Sequence, residues 1–290
     1  MNWRALFGVR ARVSTDLHAE TLGQGERVLV FIPGLGGTTR YWASRLGPLE
    51  AHYRIVLVDL LGFGNSPKPW VRYSVENHVD ALHEKLADLG SISLIGHSLG
   101  ALITVAYAAR YPANVRNIAL IGMPCFGTQD RAYRYLREGP VKGGYIFTNI
   151  VLTMAACVLT RRVFGRLLPY LIRSVPREVA EDLVKHTWRS STSSLWEVVY
   201  RYDARNDIAR LPAGTGVLFI HGDKDLMAPL ALARRLAKSR PGWKLKVLPG
   251  VDHHPFLRDP ASCLALIDDL SSSDGEHSAT YRNLHRGGMA

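Results

Sequence analysis

The chain has 290 residues, of which 47% are apolar and 21% are charged. This length and composition are ordinary for a globular protein, with one large α/β domain or two small ones. The formal charge is +11, from 36 basic and 25 acidic side chains, and it favours anionic partners. The sequence carries no helix-turn-helix, zinc-finger or aromatic RNA-binding pattern, and we therefore expect no nucleic-acid partner.

Cysteine usage and hydropathy bear on location. The three cysteines are scattered, odd in number and without metal-ligand spacing, which predicts free thiols and a reducing, cytoplasmic location. The first residues, MNWRALFGVRARV, contain too short an apolar run for a signal peptide. The most apolar later stretch, YIFTNIVLTMAACVLTRR (145–162), is interrupted by polar residues and falls short of a bilayer span.

Short apolar runs alternate with helical patterns along most of the chain. The runs predict buried strands at 27–32, 53–60, 91–96, 115–122, 216–222 and 245–250. Helical patterns lie at 40–50, 75–89, 99–111, 228–239 and 259–270. Buried strands that alternate with helices predict an α/β fold, with a mostly parallel central sheet and helices on both faces.

The alternation stops between the fourth and fifth predicted strands. Residues 124–208 contain several helical patterns and no clear strand, and we interpret them as a helical cap inserted late in the sheet. The core would then comprise 1–123 and 209–270. The polar, glycine-rich end at 271–290 predicts a disordered tail.

One segment combines a strand, a serine and a helix. Residues 96–100, GHSLG, fit G-x-S-x-G, in which a serine sits on a sharp strand-to-helix turn. A serine hydroxyl is a poor nucleophile, and it needs a histidine to accept its proton and a carboxylate to orient that histidine. Both partners follow predicted strands later in the chain, in HGDKD (221–225) and DHHPF (252–256).

Four further segments, in order, resemble motifs of the α/β-hydrolase superfamily, specifically its cap-bearing, esterase-like members. FIPGLGG (31–37) resembles the H-G-x-G oxyanion loop, and DLLGFGNS (59–66) resembles D-x-x-G-x-G-x-S. GDKDLMAP (222–229) fits G-x-x-D-x-x-x-P, and DHHPFLRDP (252–260) resembles G-H-x-P-x-L-E-x-P. The resemblance covers about 14–122 and 209–270 and implies the α/β-hydrolase fold.

The resemblance also implies a catalytic triad. Ser98 would be the nucleophile, Asp225 the acid and His253 the general base. Asp223 is an alternative acid, although its position favours a turn. His254 is an alternative base, because the glycine that usually precedes the family histidine is here an aspartate.

The oxyanion hole needs two backbone N–H groups. The resemblance assigns them to Leu99, which follows the serine, and to Leu35 in the glycine-rich loop, where Pro33 replaces the family histidine. We interpret His97, His221 and His254 as structural. The sequence implies no cofactor, because it has no metal-ligand cluster and no G-x-G-x-x-G spacing.

A serine triad supports hydrolysis of a small-molecule ester or thioester through an acyl-enzyme. Carbon–carbon bond hydrolysis and acyl transfer use the same triad and remain alternatives, as does a non-catalytic ligand-binding homologue. The apolar stretch of the cap either packs against the core or forms an acyl pocket with a basic rim that meets an anionic membrane. Residues 131–205 hold 13 basic and 6 acidic side chains, most of the net charge. The sequence gives no indication of oligomeric state.

Overall fold

The computed structural model describes residues 16–139, 141–165, 167–172 and 174–272. Of the tail predicted at 271–290, residues 271 and 272 belong to the last helix, and the remainder lies outside the described residues.

A seven-stranded sheet forms the centre of the molecule. Its strands are β1 (Ala19–Leu22), β2 (Arg27–Ile32), β3 (Tyr53–Val58), β4 (Ile92–His97), β5 (Val115–Ile121), β6 (Gly216–Gly222) and β7 (Lys244–Leu248). They lie in the order β1-β3-β2-β4-β5-β6-β7, with β1 antiparallel to β3 and every other neighbouring pair parallel. All six predicted strands are present, and β1 is an additional one.

Helices of the core cover both faces of the sheet. They are α1 (Gly47–Glu50), α2 (Val75–Leu86), α3 (Leu99–Arg110), α11 (Leu230–Ala237), α12 (Pro255–Arg258) and α13 (Pro260–Ser272). Successive residues of β2 enter opposite hydrophobic clusters, Val30 the cluster under α2 and α3, and Phe31 the cluster under α1 and α13. The helix predicted at 40–50 is instead three short pieces, since Gly47 and Pro48 start a new helix after two 3₁₀ turns.

The segment between β5 and β6 is helical. It contains α4 (Gln129–Glu138), α5 (Gly144–Thr148), α6 (Ile150–Leu159), α7 (Leu168–Leu171), α8 (Arg177–Asp182), α9 (Trp188–Ser194) and α10 (Ala204–Arg210). Wider π-helical turns extend α6 through Thr160–Phe164 and α9 through Leu195–Tyr200. We refer to residues 124–208 as the cap.

The two halves of the cap differ in burial. Trp196, Val198 and Tyr200 after α9, and Ile208 of α10, belong to the main hydrophobic cluster. By contrast, α5 to α7 expose thirteen large apolar side chains, which are Tyr145, Ile146, Phe147, Ile150, Val151, Leu152, Val158, Leu159, Val163, Phe164, Leu167, Tyr170 and Leu171. For these side chains the interpretation that the apolar stretch packs against the core is wrong. Within the described ranges, none of the helices has the length and apolar character that crossing a membrane requires.

Candidate active site

Ser98 stands on a sharp turn between β4 and α3. Its backbone has φ 52° and ψ −118°, and in the described part of the chain it is the one non-glycine residue with positive φ. A side chain at Gly96 would strike helix α3. A side chain at Gly100 would strike the carbonyl oxygens of Ile32 and Pro33. The two glycines therefore allow strand, turn and helix to approach closely, while the strained turn projects the serine hydroxyl.

Three loops at the carboxyl end of the sheet bring Ser98, His253 and Asp225 together. His253 Nε2 lies 2.9 Å from Ser98 Oγ, and His253 Nδ1 lies 2.8 Å from Asp225 Oδ2. Because a carboxylate only accepts hydrogen bonds, Nδ1 of neutral His253 carries the ring proton and donates it to Asp225. Nε2 is then free to accept the proton of the serine hydroxyl, which is the geometry that general-base catalysis requires.

The environment of Asp225 keeps its carboxylate ionised. Its Oδ1 accepts hydrogen bonds from the backbone N–H groups of Met227 at 2.8 Å and Ala228 at 2.9 Å. Burial raises the pKa of Asp225, but hydrogen bonding and charge interaction with His253, with smaller help from His221 and the Ala228 amide, outweigh burial and leave the pKa below its ordinary value. Asp225 is therefore negatively charged at neutral pH and fixes the orientation of the His253 ring.

The alternative acid, Asp223, and the alternative base, His254, contact other groups than Ser98. Asp223 Oδ1 accepts a hydrogen bond from the Gly250 amide at 2.7 Å and joins two loop ends, which is a turn contact. His254 Nδ1 lies 3.3 Å from the Tyr41 hydroxyl, away from the serine contact that His253 makes. Burial, followed by the nearby His253, lowers the pKa of His254 to about 4.

Two further histidines donate hydrogen bonds to backbone carbonyl oxygens in the loops that carry His253 and Asp225. His97 Nε2 donates to the His253 carbonyl oxygen at 2.8 Å, and its ring stacks on Tyr41 with centroids 4.8 Å apart. His221 Nε2 donates to the Ala228 carbonyl oxygen at 3.1 Å. Burial lowers the pKa of both His97 and His221, so they are neutral and support the loops.

The glycine-rich loop after β2 passes next to Ser98. A Cβ added at Gly34 would lie 3.1 Å from the Ser98 Cβ, so the following amide, that of Leu35, is close to the serine. Leu99 is the first residue of α3, and its N–H belongs to the unpaired amides of a helix N-terminus. Within the described residues, neither the Leu35 nor the Leu99 amide donates a hydrogen bond to another group of the chain. Their assignment to an oxyanion hole stays a prediction.

The buried carboxylate of Asp59 accepts a hydrogen bond from the end of this loop. Asp59 accepts hydrogen bonds from the Thr39 amide at 2.8 Å and the Asn65 amide at 2.7 Å. Gly64 has a positive φ, and a Cβ there would strike the Asp59 carboxylate. These contacts explain the aspartate and the second glycine of the segment DLLGFGNS. The Asp59 carboxylate connects the glycine-rich loop to the loop after β3 by accepting a hydrogen bond from each.

Sequence reasoning missed Asp182, which joins the cap to the glycine-rich loop. Its buried carboxylate accepts a hydrogen bond from the Thr38 hydroxyl at 2.6 Å. It also pairs with Arg40 at 2.9 Å and with Lys185 at 2.8 Å. Asp182 and Thr38 are 144 positions apart, and no motif in the sequence connects them.

The described residues offer no group of three or more His, Cys, Asp or Glu side chains that could hold a metal ion. The three cysteines are free thiols: Cys125, at the start of the cap, and Cys263, in α13, are buried, and Cys157 in α6 is half-buried. Ser98 with His253 and Asp225 therefore remains the candidate site.

Comparisons with known proteins give a consistent fold and varied chemistry. An uncharacterized protein of Mycobacterium tuberculosis is 24% identical over 92% of this chain and 82% of its own length. "Probable lysophospholipase BODYGUARD 5" of Arabidopsis thaliana is 24% identical over 78% of this chain and 57% of its own, so this chain spans little more than half of that protein. An esterase structure from Exiguobacterium antarcticum has a TM-score of 0.70 at 19% identity, covering 88% of this chain and 95% of the esterase.

A family model decides the classification. The model of the alpha/beta hydrolase family matches residues 29–266. This range includes most of β2, every strand from β3 to β7, and the site residues Ser98, Asp225 and His253. The sheet order, the turn at Ser98 and the late helical insertion agree with that match. The chain belongs to the alpha/beta hydrolase family.

Proposed function

We propose that this protein is a serine hydrolase that cleaves a carboxylic ester or thioester of a hydrophobic acyl group. The observation that carries the proposal is the continuous contact from Ser98 Oγ to His253 Nε2, and from His253 Nδ1 to Asp225 Oδ2. An unactivated serine needs both partners, and each is held within 3 Å of the next group by its own loop.

In the proposed reaction, His253 takes the proton of Ser98 as Oγ attacks the acyl carbonyl carbon. The negative charge on the carbonyl oxygen is stabilised by the N–H groups of Leu35 and Leu99. Asp225 stabilises the imidazolium that forms. The protonated His253 then donates to the departing alcohol, and a water molecule hydrolyses the acyl-enzyme by the same steps in reverse order.

A hydrophobic acyl group is proposed from the composition of the cap. Leu183 Cδ2 lies 3.6 Å from the position that a Cβ on Gly36 would take, so the cap places an apolar side chain above the glycine-rich loop next to Ser98. Relatives named as esterase and lysophospholipase agree with an ester substrate, although at this level of identity they share with this chain only the fold. Each buried CH₂ of an acyl chain contributes about 0.8 kcal/mol to binding.

The experiment is a labelling reaction combined with a substrate panel. A fluorophosphonate probe should label Ser98, and Ser98→Ala should remove both the label and turnover while leaving the thermal unfolding midpoint close to that of the unaltered protein. Among p-nitrophenyl esters, catalytic efficiency should rise with acyl length until the site is full. An absence of labelling would indicate a non-catalytic homologue, and cleavage of a diketone in preference to every ester would replace ester hydrolysis by carbon–carbon bond hydrolysis.

A further inference from the structure

The outward face of the cap has an unusual distribution of side chains. Helix α6 and its π-helical extension, residues 150–164, bury Thr153, whose hydroxyl donates to the Ile146 carbonyl oxygen at 2.5 Å. Seven large apolar side chains of this helix are exposed, with Val151 at 65%, and they are Ile150, Val151, Leu152, Val158, Leu159, Val163 and Phe164. Exposed apolar side chains also lie on α5 before this helix and on α7 after it. We call the exposed apolar side chains of residues 145–171 the apolar cap face. Thirteen exposed large apolar side chains within one short segment are typical of a binding surface.

In sequence, the charged residues within and directly beside the apolar cap face are basic, and Arg177 at the end of this segment pairs with Glu181. Residues 139–177 contain six basic side chains and no Asp or Glu, the basic ones being Lys142, Arg161, Arg162, Arg166, Arg173 and Arg177. Lys142, Arg161 and Arg162 are exposed, and among the described residues none of them pairs with a carboxylate. Two copies of such a face would repel each other, which disfavours a symmetric dimer through it and favours an anionic partner.

Within the apolar cap face, Val151, Leu152 and Leu159 point away from the side of α6 that carries Cys157. Cys157 Sγ, on the inner side of α6, is 3.6 Å from His186 Nδ1. The ring of His186 in turn lies 3.9 Å from where a Cβ on Gly36 would be, in the loop that carries the Leu35 amide. One helix diameter, about 10 Å, therefore separates this outward face from the side chains above the oxyanion loop.

We propose that the apolar cap face docks on the surface of an anionic lipid bilayer. Apolar side chains flanked by Lys and Arg, on a helix about 22 Å long, fit a helix that lies in the headgroup region rather than one that spans the bilayer. Insertion of Val151, Val158 and Leu159 would supply apolar burial, and the basic residues would supply attraction to the lipid charge. Docking does not require Ser98 or turnover, so this proposal and the proposed function succeed or fail separately.

The test is sedimentation of the full chain with vesicles. Vesicles that mix phosphatidylglycerol with phosphatidylcholine should carry the protein down at about 0.05 M NaCl and release most of it at about 0.5 M NaCl, because salt screens the charge attraction. Vesicles of phosphatidylcholine alone should bind at least about tenfold less protein. The Ser98→Ala variant should bind as well as the unaltered chain.

Charge-matched variants localise the effect. Lys142→Glu with Arg162→Glu changes the cap, and Arg235→Glu with Lys238→Glu makes the same charge change in the core, at the end of α11 and on its C-cap residue. The cap pair should weaken vesicle binding at least about tenfold, and the core pair should weaken it by less than about twofold. Equal losses in both pairs would show only a general attraction of a basic protein and would overturn the assignment to this face.

A second pair of changes tests the apolar contribution without altering charge. Val151→Ser with Leu159→Ser should abolish most binding at low salt, while turnover of a water-soluble short ester and the unfolding midpoint stay unchanged. Unaltered vesicle binding in this variant would contradict the proposal. A concentration-dependent dimer that the same substitutions dissociate, without vesicle binding by the unaltered chain, would assign the face to a second copy instead.

Discussion

The core and the apolar cap face use the same kinds of side chain in opposite ways. Leu29 and Phe31 of β2 are fully buried between the two helical layers, whereas Leu171 of the cap is 63% exposed. In the core, apolar residues alternate between two faces of one sheet, and burial on both faces stabilises the fold. In the cap they surround a helix that has a neighbour on one side only. An apolar run therefore indicates burial only when the fold supplies a partner on each side that the run covers.

The largest effect should be the loss of kcat when a residue of the proposed triad, which the core carries, is replaced. Replacement of Asp225 by Asn keeps the shape of the side chain but removes the charge that orients and stabilises His253. We expect kcat to fall about 10⁴-fold. The control is Asp223→Asn, which should change kcat by less than about threefold, because Asp223 holds only the Gly250 amide. Steady-state kinetics on one soluble ester measure both, and a greater loss in the control would contradict the assignment of the acid.

The same logic applies to the paired histidines. His253→Ala removes the proposed base and should cost several orders of magnitude in kcat. His254→Ala removes the contacts of this ring with Tyr41, His97 and His253 but no contact with Ser98, and it should cost far less. The reverse order of effects would mean that His254 is the base.

A matched pair of leucines measures the difference in burial. Leu94→Ala in β4 empties a fully buried position and should lower the free energy of unfolding by about 2–5 kcal/mol. Leu171→Ala in the cap should change it by less than about 0.5 kcal/mol. Chemical denaturation of both variants gives the values. Similar losses would show that the apolar cap face stabilises the fold as the core does.

A buried histidine of the core should make the protein sensitive to acid. Burial lowers the pKa of His78 to about 4, from 6.5 in an exposed residue. Between these values the unfolded chain binds a proton that the folded chain does not, so stability is complete above about pH 7 and falls as the pH decreases. This histidine alone should cost about 2 kcal/mol between pH 7.5 and 5.

The control for His78 is His78→Gln, which retains a hydrogen-bonding group for Ser194, the present partner at 3.0 Å, and cannot titrate. The variant should lose about 2 kcal/mol less stability than the unaltered chain on going from pH 7.5 to 5. Equal losses, measured by urea denaturation at both values, would contradict a neutral His78.

The smallest effect concerns the contact between core and cap. Asp182→Asn keeps the hydrogen bond from Thr38 but weakens the pairs with Arg40 and Lys185. Because Thr38 continues the loop that carries the Leu35 amide, we expect kcat to fall about fivefold with little change in KM. Glu181→Gln, an exposed neighbour that also pairs with Arg40, should leave kcat within about twofold. Equal kinetics in the two variants would mean that Asp182 does not position the loop.

Sequence reasoning succeeded where the information is local. The six predicted strands are apolar, and the structure confirms them. Ser98, Asp225 and His253 each follow one of these strands at a motif spacing, and they lie together at one edge of the sheet, while their catalytic roles stay predictions. Strand β1 was missed because its four residues, AETL, are half-buried at most and pair only with β3.

The cap was harder to predict for a physical reason. Its helices were predictable from their patterns, but a helix that is apolar on every side does not show which side faces the core. Thr153, rather than the neighbouring valines, faces inward in α6. The Asp182 contacts depend on Thr38 and Arg40, which lie more than 140 positions away, and no periodicity encodes such pairs.

The buried carboxylate of Asp182 has a consequence for engineering. Chimeras between members of this family would naturally exchange the whole insertion at 124–208 in order to transfer substrate preference. In this protein such an exchange would leave the Thr38 hydroxyl and the Arg40 guanidinium, both in the retained half, facing whatever residue the donor places at 182. The unit that can be transplanted is therefore the insertion together with residues 38–40.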